Sequence, residues 1–126
     1  MKTWTVAGLG VILVLAAAGC APSADELRER AVAEFQLGNT DQAQQLLERS
    51  LDKEPFDAVS LFYMGRIKHV GGFYEQAMHY YQKALMMDPS LGEARKWLAR
   101  AEEQLGPTGK TLRYLPDLSP APTVDK

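Results

Sequence analysis

The sequence predicts an all-α fold, a short solenoid of two helix-turn-helix units closed by one further helix. Three observations carry that reading. Apolar residues recur at three- and four-residue steps through five stretches, the period of helices with one buried face. Displaced by 34 residues, the chain falls on itself, with Ala43 on Ala77, Leu47 on Tyr81, Leu51 on Leu85 and Pro55 on Pro89. Breakers stand where such units need them: Gly38 and the pair Gly71 and Gly72 inside the units, Pro55 and Pro89 at their ends.

Residues 1–19 precede the repeats. Lys2, the apolar run 6–18 and the small residues that follow have the charged start, greasy centre and small-residue exit of a secretory signal. The apolar run is too short to span a bilayer, which takes about 20 residues. Cys20 is the one cysteine in the chain, so no internal disulfide can form. Standing directly after Leu15, Ala16, Ala17, Ala18 and Gly19, it resembles the lipobox of bacterial lipoproteins, with Ala17 where that family prefers leucine. The resemblance implies that Cys20 becomes the first residue of the mature chain and carries the lipid anchor. More than one acyl chain would make that attachment stable. Ala21 in place of the family's retention aspartate implies the outer membrane, with the protein facing the periplasm. An ordinary signal peptide leaving a free thiol is the alternative reading of the same residues.

Residues 20–23 form a short tether. Ser23 with Glu26 three residues on is a capping-box pair for the first helix, which runs to about residue 37. Leu27, Ala31 and Glu34 hold the places that Leu61, Gly65 and Lys68 hold one repeat later. Arg30 against Met64 makes this first copy more polar, as suits the outer end of a stack. Gly38 to Asp41 make the turn, with Thr40 or Asp41 as the next N-cap. The second helix, 41–53, buries Ala43, Leu46, Leu47, Ser50 and Leu51. The first unit is therefore 24–57 and the second 58–91.

In the second unit, the helix over 58–70 presents Leu61, Met64, Gly65 and Lys68 on one side, and the missing side chain at Gly65 lets a neighbour approach. Tyr74, Ala77, Met78, Tyr81, Ala84 and Leu85 repeat the helical spacing after the glycine turn, with alanines where contact must be close. Tyr80 and Met87 fall on the outward side of this helix. Residues 92–106 supply the last helix, with Ala94, Trp97, Leu98, Ala101 and Leu105 on its covered face. From residue 107 four prolines interrupt the pattern. An extended, flexible tail is expected over 107–126, with Leu112, Tyr114, Leu115 and Leu118 as a cluster that either folds back or docks elsewhere.

With its 34-residue period of helix, turn, helix and proline, the stretch 58–91 resembles the tetratricopeptide repeat. Gly65, Ala77, Tyr81, Ala84 and Pro89 carry the likeness. Leu61 stands where that family usually has tryptophan, Lys68 where it usually has tyrosine, and Ser50 where the first unit would have alanine. The resemblance implies a solenoid whose first helices line a concave groove. By the repeat phase those inner residues are Arg28, Val32 and Phe35, then Phe62, Arg66 and His69, then Lys96, Arg100 and Glu103. Such a groove would hold an extended or helical segment, stacking on its apolar side chains and pairing with its carboxylates. The family's clamp for C-terminal carboxylates uses two asparagines, and this chain has one, Asn39, in a turn.

The net charge of −2 disfavours nucleic acid as a partner, and loss of residues 1–19 would remove Lys2 and leave 13 basic groups against 16 acidic ones. Neither His69 nor His79 has a second histidine or a carboxylate four residues on, and a metal site needs three or four converging ligands, so no metal and no cofactor are expected. Residues 106–111 have two residues between their glycines where a phosphate loop needs four, and no strand leads into them. No serine or cysteine has a base and an orienting acid nearby, so an enzyme is not expected. Lipoproteins of this kind serve in assembly of pili, secretion machines and outer-membrane proteins. A non-catalytic envelope adaptor that binds a protein or peptide is the resulting expectation. A self-associating lipoprotein, or an accessory regulator of a cell-wall enzyme, stands beside it.

Overall fold

The computed structural model describes residues 19–112, and side chains up to residue 107. The apolar run 6–18 and the tail residues Tyr114, Leu115 and Leu118 lie outside them. Five helices follow one another: α1 Ala24–Gln36, α2 Thr40–Lys53, α3 Ala58–Val70, α4 Tyr74–Met87 and α5 Gly92–Leu112.

Local chemistry sets the boundaries. At the start of α1 the Ser23 hydroxyl accepts from the Glu26 amide (3.1 Å), and the Glu26 carboxylate accepts from the Ser23 amide (2.9 Å), the reciprocal pair of a capping box. The two hairpin turns are copies. Gly38 (φ +86°) and Gly72 (φ +80°) both take the left-handed conformation that side chains disfavour. The amides of Asn39 and Phe73 each reach back to a carbonyl five residues earlier, at 2.9 Å in both turns. Neither Thr40 nor Asp41 caps α2. Asn39 takes the cap position and its side chain turns back to donate to Glu34 (2.8 Å), so it ties the turn to α1 instead.

Antiparallel packing pairs α1 with α2 and α3 with α4, while α4 also packs on α5 and α2 on α3. Contacts of α1 with α3, and of α3 with α5, set the odd-numbered helices in a row along one side. One core cluster gathers Leu27, Ala31, Ala43, Leu46, Leu47, Met64 and Ile67. The other gathers Leu61, Phe62, Ala77, Tyr81, Ala84, Ala94 and Ala101. Leu51, Tyr63 and Tyr80 pack against both clusters. Tyr80 is thus half-buried between the units and not the outward residue that helical spacing predicts. Its place matches Leu46 of the first unit, itself buried, and the lower amphipathicity of a helix flanked on two sides blurs the inward and outward faces.

Gly65 is the closest approach of α3 to α4. A Cβ there would sit 2.5 and 2.6 Å from Tyr81 ring carbons and 3.2 Å from the Ala77 carbonyl oxygen. At the far end, α5 breaks at Gly106 (φ +69°) and helical backbone resumes from Pro107 to Leu112. The extended tail expected from residue 107 therefore begins as a helical turn. Proline is well suited to open one, since its fixed φ is helical and it has no amide to leave unpaired. No helix among the described residues is long and apolar enough to cross a membrane.

Candidate functional site

The row of odd-numbered helices carries an aromatic and cationic cluster, built by the same contact made twice. Tyr63 of α3 meets Phe35 of α1 edge-on, with ring centroids 5.7 Å apart and planes at 74°. One repeat later Trp97 of α5 meets His69 of α3 at 5.1 Å and 87°. Both partners shift by the 34-residue period, so the stacking of first helices is written in the aromatic pairs. Phe62 adds an edge contact to Tyr63 (5.2 Å), and Tyr74 meets His69 at 5.1 Å.

Arg66 occupies the middle of the cluster. Its guanidinium carbon lies 3.7 Å from the centre of the Trp97 ring, 5.3 Å from Phe35 and 5.8 Å from Phe62. Arg100 approaches the same indole at 4.6 Å. Each such contact is worth about 0.5–2 kcal/mol, more as water is excluded. No carboxylate among the described residues forms an ion pair with Arg66 or Arg100. Three buried polar atoms also lack a hydrogen-bond partner among the described residues: Arg66 Nε, His69 Nδ1 and the Tyr81 hydroxyl. All belong to this cluster, since His69 lies 6.3 Å from Tyr81 and Tyr81 5.9 Å from Phe62. Buried polar groups in folded proteins are nearly always satisfied, so their concentration at one place marks it out.

Electrostatics agree with that geometry. Burial, followed by the positive charges of Arg66 and Arg100, holds the His69 imidazole below its ordinary pKa. Burial also pushes the Tyr81 phenol upward, with the Arg66 charge opposing. Glu93 is held below the usual carboxylate range by the hydrogen bond and charge of Lys96 (2.8 Å), then by Arg100 and Arg66.

Of the inner residues named from the repeat phase, Phe35, Phe62, Arg66, His69 and Arg100 are brought together. Arg28 is placed elsewhere. It pairs with Asp25 (2.7 Å) and with Asp57 (3.3 Å), the residue whose carboxylate caps α3 by accepting from the Ser60 amide (3.1 Å). Lys96 is exposed and occupied by Glu93, Val32 is half-buried on α1, and Glu103 is exposed on α5. Arg66, which the repeat phase sets among the groove residues, is half-buried, because three rings converge on it. Trp97, Tyr63 and Tyr74 are the residues that reading by phase missed. The signal was present: Tyr63 and Trp97 stand 34 residues apart, yet an aromatic at helical spacing is ordinarily assigned to the core.

No protein-family model matches the chain, and no curated protein does. Among solved structures, the crystal structure of MamA, a TPR-containing protein, superposes with a TM-score of 0.65 at 21% identity, over 73% of this chain and 50% of that one. The chain thus spans about half the length of that neighbour. At this identity the likeness shows the fold alone: five helices in an all-α helical-repeat solenoid of the tetratricopeptide kind.

Proposed function

We propose that this chain is a lipid-anchored, non-catalytic adaptor of a bacterial cell envelope. On this reading acylated Cys20 ties it to the outer membrane, and the groove takes a peptide or protein segment during assembly of a pilus, secretion or outer-membrane complex. The observation that carries the proposal is the pair of guanidiniums, Arg66 and Arg100, on one indole ring with no carboxylate partner among the described residues. Rings fix Arg66 in place without neutralising it. A segment bearing an acidic side chain beside an apolar one would pair with these guanidiniums and lie against the half-buried Phe35. The helical-repeat fold supports a protein partner in general. The anchor is supported by the residues around Cys20, which is exposed at the start of the described chain.

Photo-crosslinking in living cells tests this reading. A photoreactive residue in place of exposed Lys96 should trap an envelope protein, and the crosslink should disappear when Arg100→Glu is added. An undiminished crosslink in the charge-reversed protein would show that the guanidiniums take no part in binding.

A further inference from the structure

A second apolar surface lies away from the groove, at the edge of the stack where the chain begins. Ser50 in the last turn of α2 donates to the Ala24 carbonyl at the start of α1 (2.9 Å), and Arg28 reaches Asp57 in the α2–α3 turn (3.3 Å). The start of α1 and the α2–α3 turn therefore share one edge. Because α4 runs antiparallel to α3, its end returns to the same edge. There Met86 and Met87 join Pro55, Phe56 and Lys83 around an open hollow of about 360 Å³, which extends back along α4 to His79. Phe56 is 76% and Met86 74% exposed, and no carboxylate lines the hollow. Lys83 forms no ion pair among the described residues.

We propose that this edge rests on the membrane that carries the Cys20 anchor. Phe56 and Met86 enter the headgroup layer, and Lys83 pairs with lipid phosphate. The inference rests on acylation of Cys20. Three residues separate Cys20 from Ala24 at the start of α1, and the four steps between them span at most about 3.3–3.6 Å each in an extended chain, so the start of α1 is held within roughly 14 Å of Cys20. The opposite edge also exposes apolar side chains, Leu37 and Val70. It stands a helix length further out, about 20 Å for the 13 residues of α1 at 1.5 Å each. Proximity therefore selects the first edge. Burial of apolar side chains at the interface, with basic groups reaching anionic headgroups, is how peripheral helices sit on lipid. The consequence is orientation: the helices stand upright on the bilayer and the groove opens sideways, parallel to the membrane plane.

The test uses the full-length acylated protein in vesicles of phosphatidylethanolamine and phosphatidylglycerol, some carrying a nitroxide on the headgroup. Acylation blocks the native thiol, so single substitutions Phe56→Cys, Met86→Cys, Leu37→Cys and Val70→Cys can each be labelled with one fluorophore. Labels at 56 and 86 should be quenched by the nitroxide lipid several-fold more than those at 37 and 70, and aqueous iodide should show the reverse order. Equal quenching at all four positions in protein that floats with the vesicles overturns the orientation and leaves the anchor standing. Shielding of 56 and 86 from iodide without quenching by lipid puts a second copy on the hollow, and overturns it too. Protein that stays unacylated by intact mass and does not float removes the anchor, and the orientation with it.

Discussion

Arg66 and Arg100 differ in what they do although both follow from the same repeat position logic. Arg100 is exposed beside the indole, so Arg100→Glu is expected to leave the melting temperature within a degree or two while weakening partner capture. The loss should be about tenfold or more, the equivalent of a charge-assisted hydrogen bond worth roughly 1.5–3 kcal/mol. Arg66→Glu is a different experiment. It removes a stacked cation and sets a carboxylate among Phe35, Phe62 and Trp97, and about 2 kcal/mol or more of stability should go with it, seen in urea denaturation. A double charge reversal cannot separate binding from folding here, whereas Arg100 alone can.

His69 lends the fold a pH dependence of definite sign. Its folded pKa lies below the ordinary 6.5, through burial first and the two arginine charges second. Above 6.5 the imidazole is neutral in both folded and unfolded chains, so its contribution to stability is complete and flat. As pH falls from 6.5 through the lowered value, the unfolded chain takes up the proton first and stability declines. The urea midpoint of the wild type should therefore fall between pH 7.5 and pH 5 by more than that of His69→Gln. Equal changes in the two proteins would remove the buried imidazole as the cause.

At the scale of the elements, two devices hold the hairpins. Asp57 ties the two hairpins together, since it caps α3 through the Ser60 amide, accepts from the Ser60 hydroxyl and pairs with Arg28 of α1. Burial works against its charge, but the Ser60 bonds and Arg28 outweigh this and hold its carboxyl below the usual range. Its contribution is complete above the ordinary carboxylate pKa and is lost as pH falls through the lowered one. Asp57→Ala is expected to cost about 1–2 kcal/mol at neutral pH by thermal denaturation, and Asp57→Asn less, because the amide oxygen still caps the helix. Gly65 is the other device. A methyl group there helps the helix by about 1 kcal/mol but forces overpacking that costs roughly 1–3 kcal/mol, against a fully buried Tyr81 ring that has nowhere to go. Gly65→Ala should lower the stability by about 1 kcal/mol net, and Gly65→Leu should abolish the cooperative unfolding transition. An unchanged midpoint for both would mean the α3–α4 contact is looser than its geometry implies.

For the whole molecule the question is how two units and one extra helix behave as one body. Each unit of a solenoid touches only its neighbours, so cooperativity depends on residues shared between clusters. Here Leu51, Tyr63 and Tyr80 are those residues. Tyr80→Ala should therefore lower the urea m-value as well as the midpoint, as the first unit begins to unfold apart from the second. A parallel shift with unchanged m-value would show that the units remain coupled without it.

The sequence by itself determined the helices, their turns and their order, because those depend on neighbours within a few residues: apolar spacing, Ser23 with Glu26, Gly38 and Gly72, Pro55 and Pro89. It also determined the period, since a repeat is a property of the string. Only tertiary structure decided which members of a repeat position share an environment. Arg28, Phe62 and Lys96 occupy one phase, yet the first is bound to Asp57, the second packs in the core and the third faces water. The cause is that a short stack has two ends: an interior unit is covered on both sides and a terminal one is not, so the same place in the repeat meets different neighbours. Trp97 gained its contacts in the same way, from His69 and Arg66, which α3 sets before it.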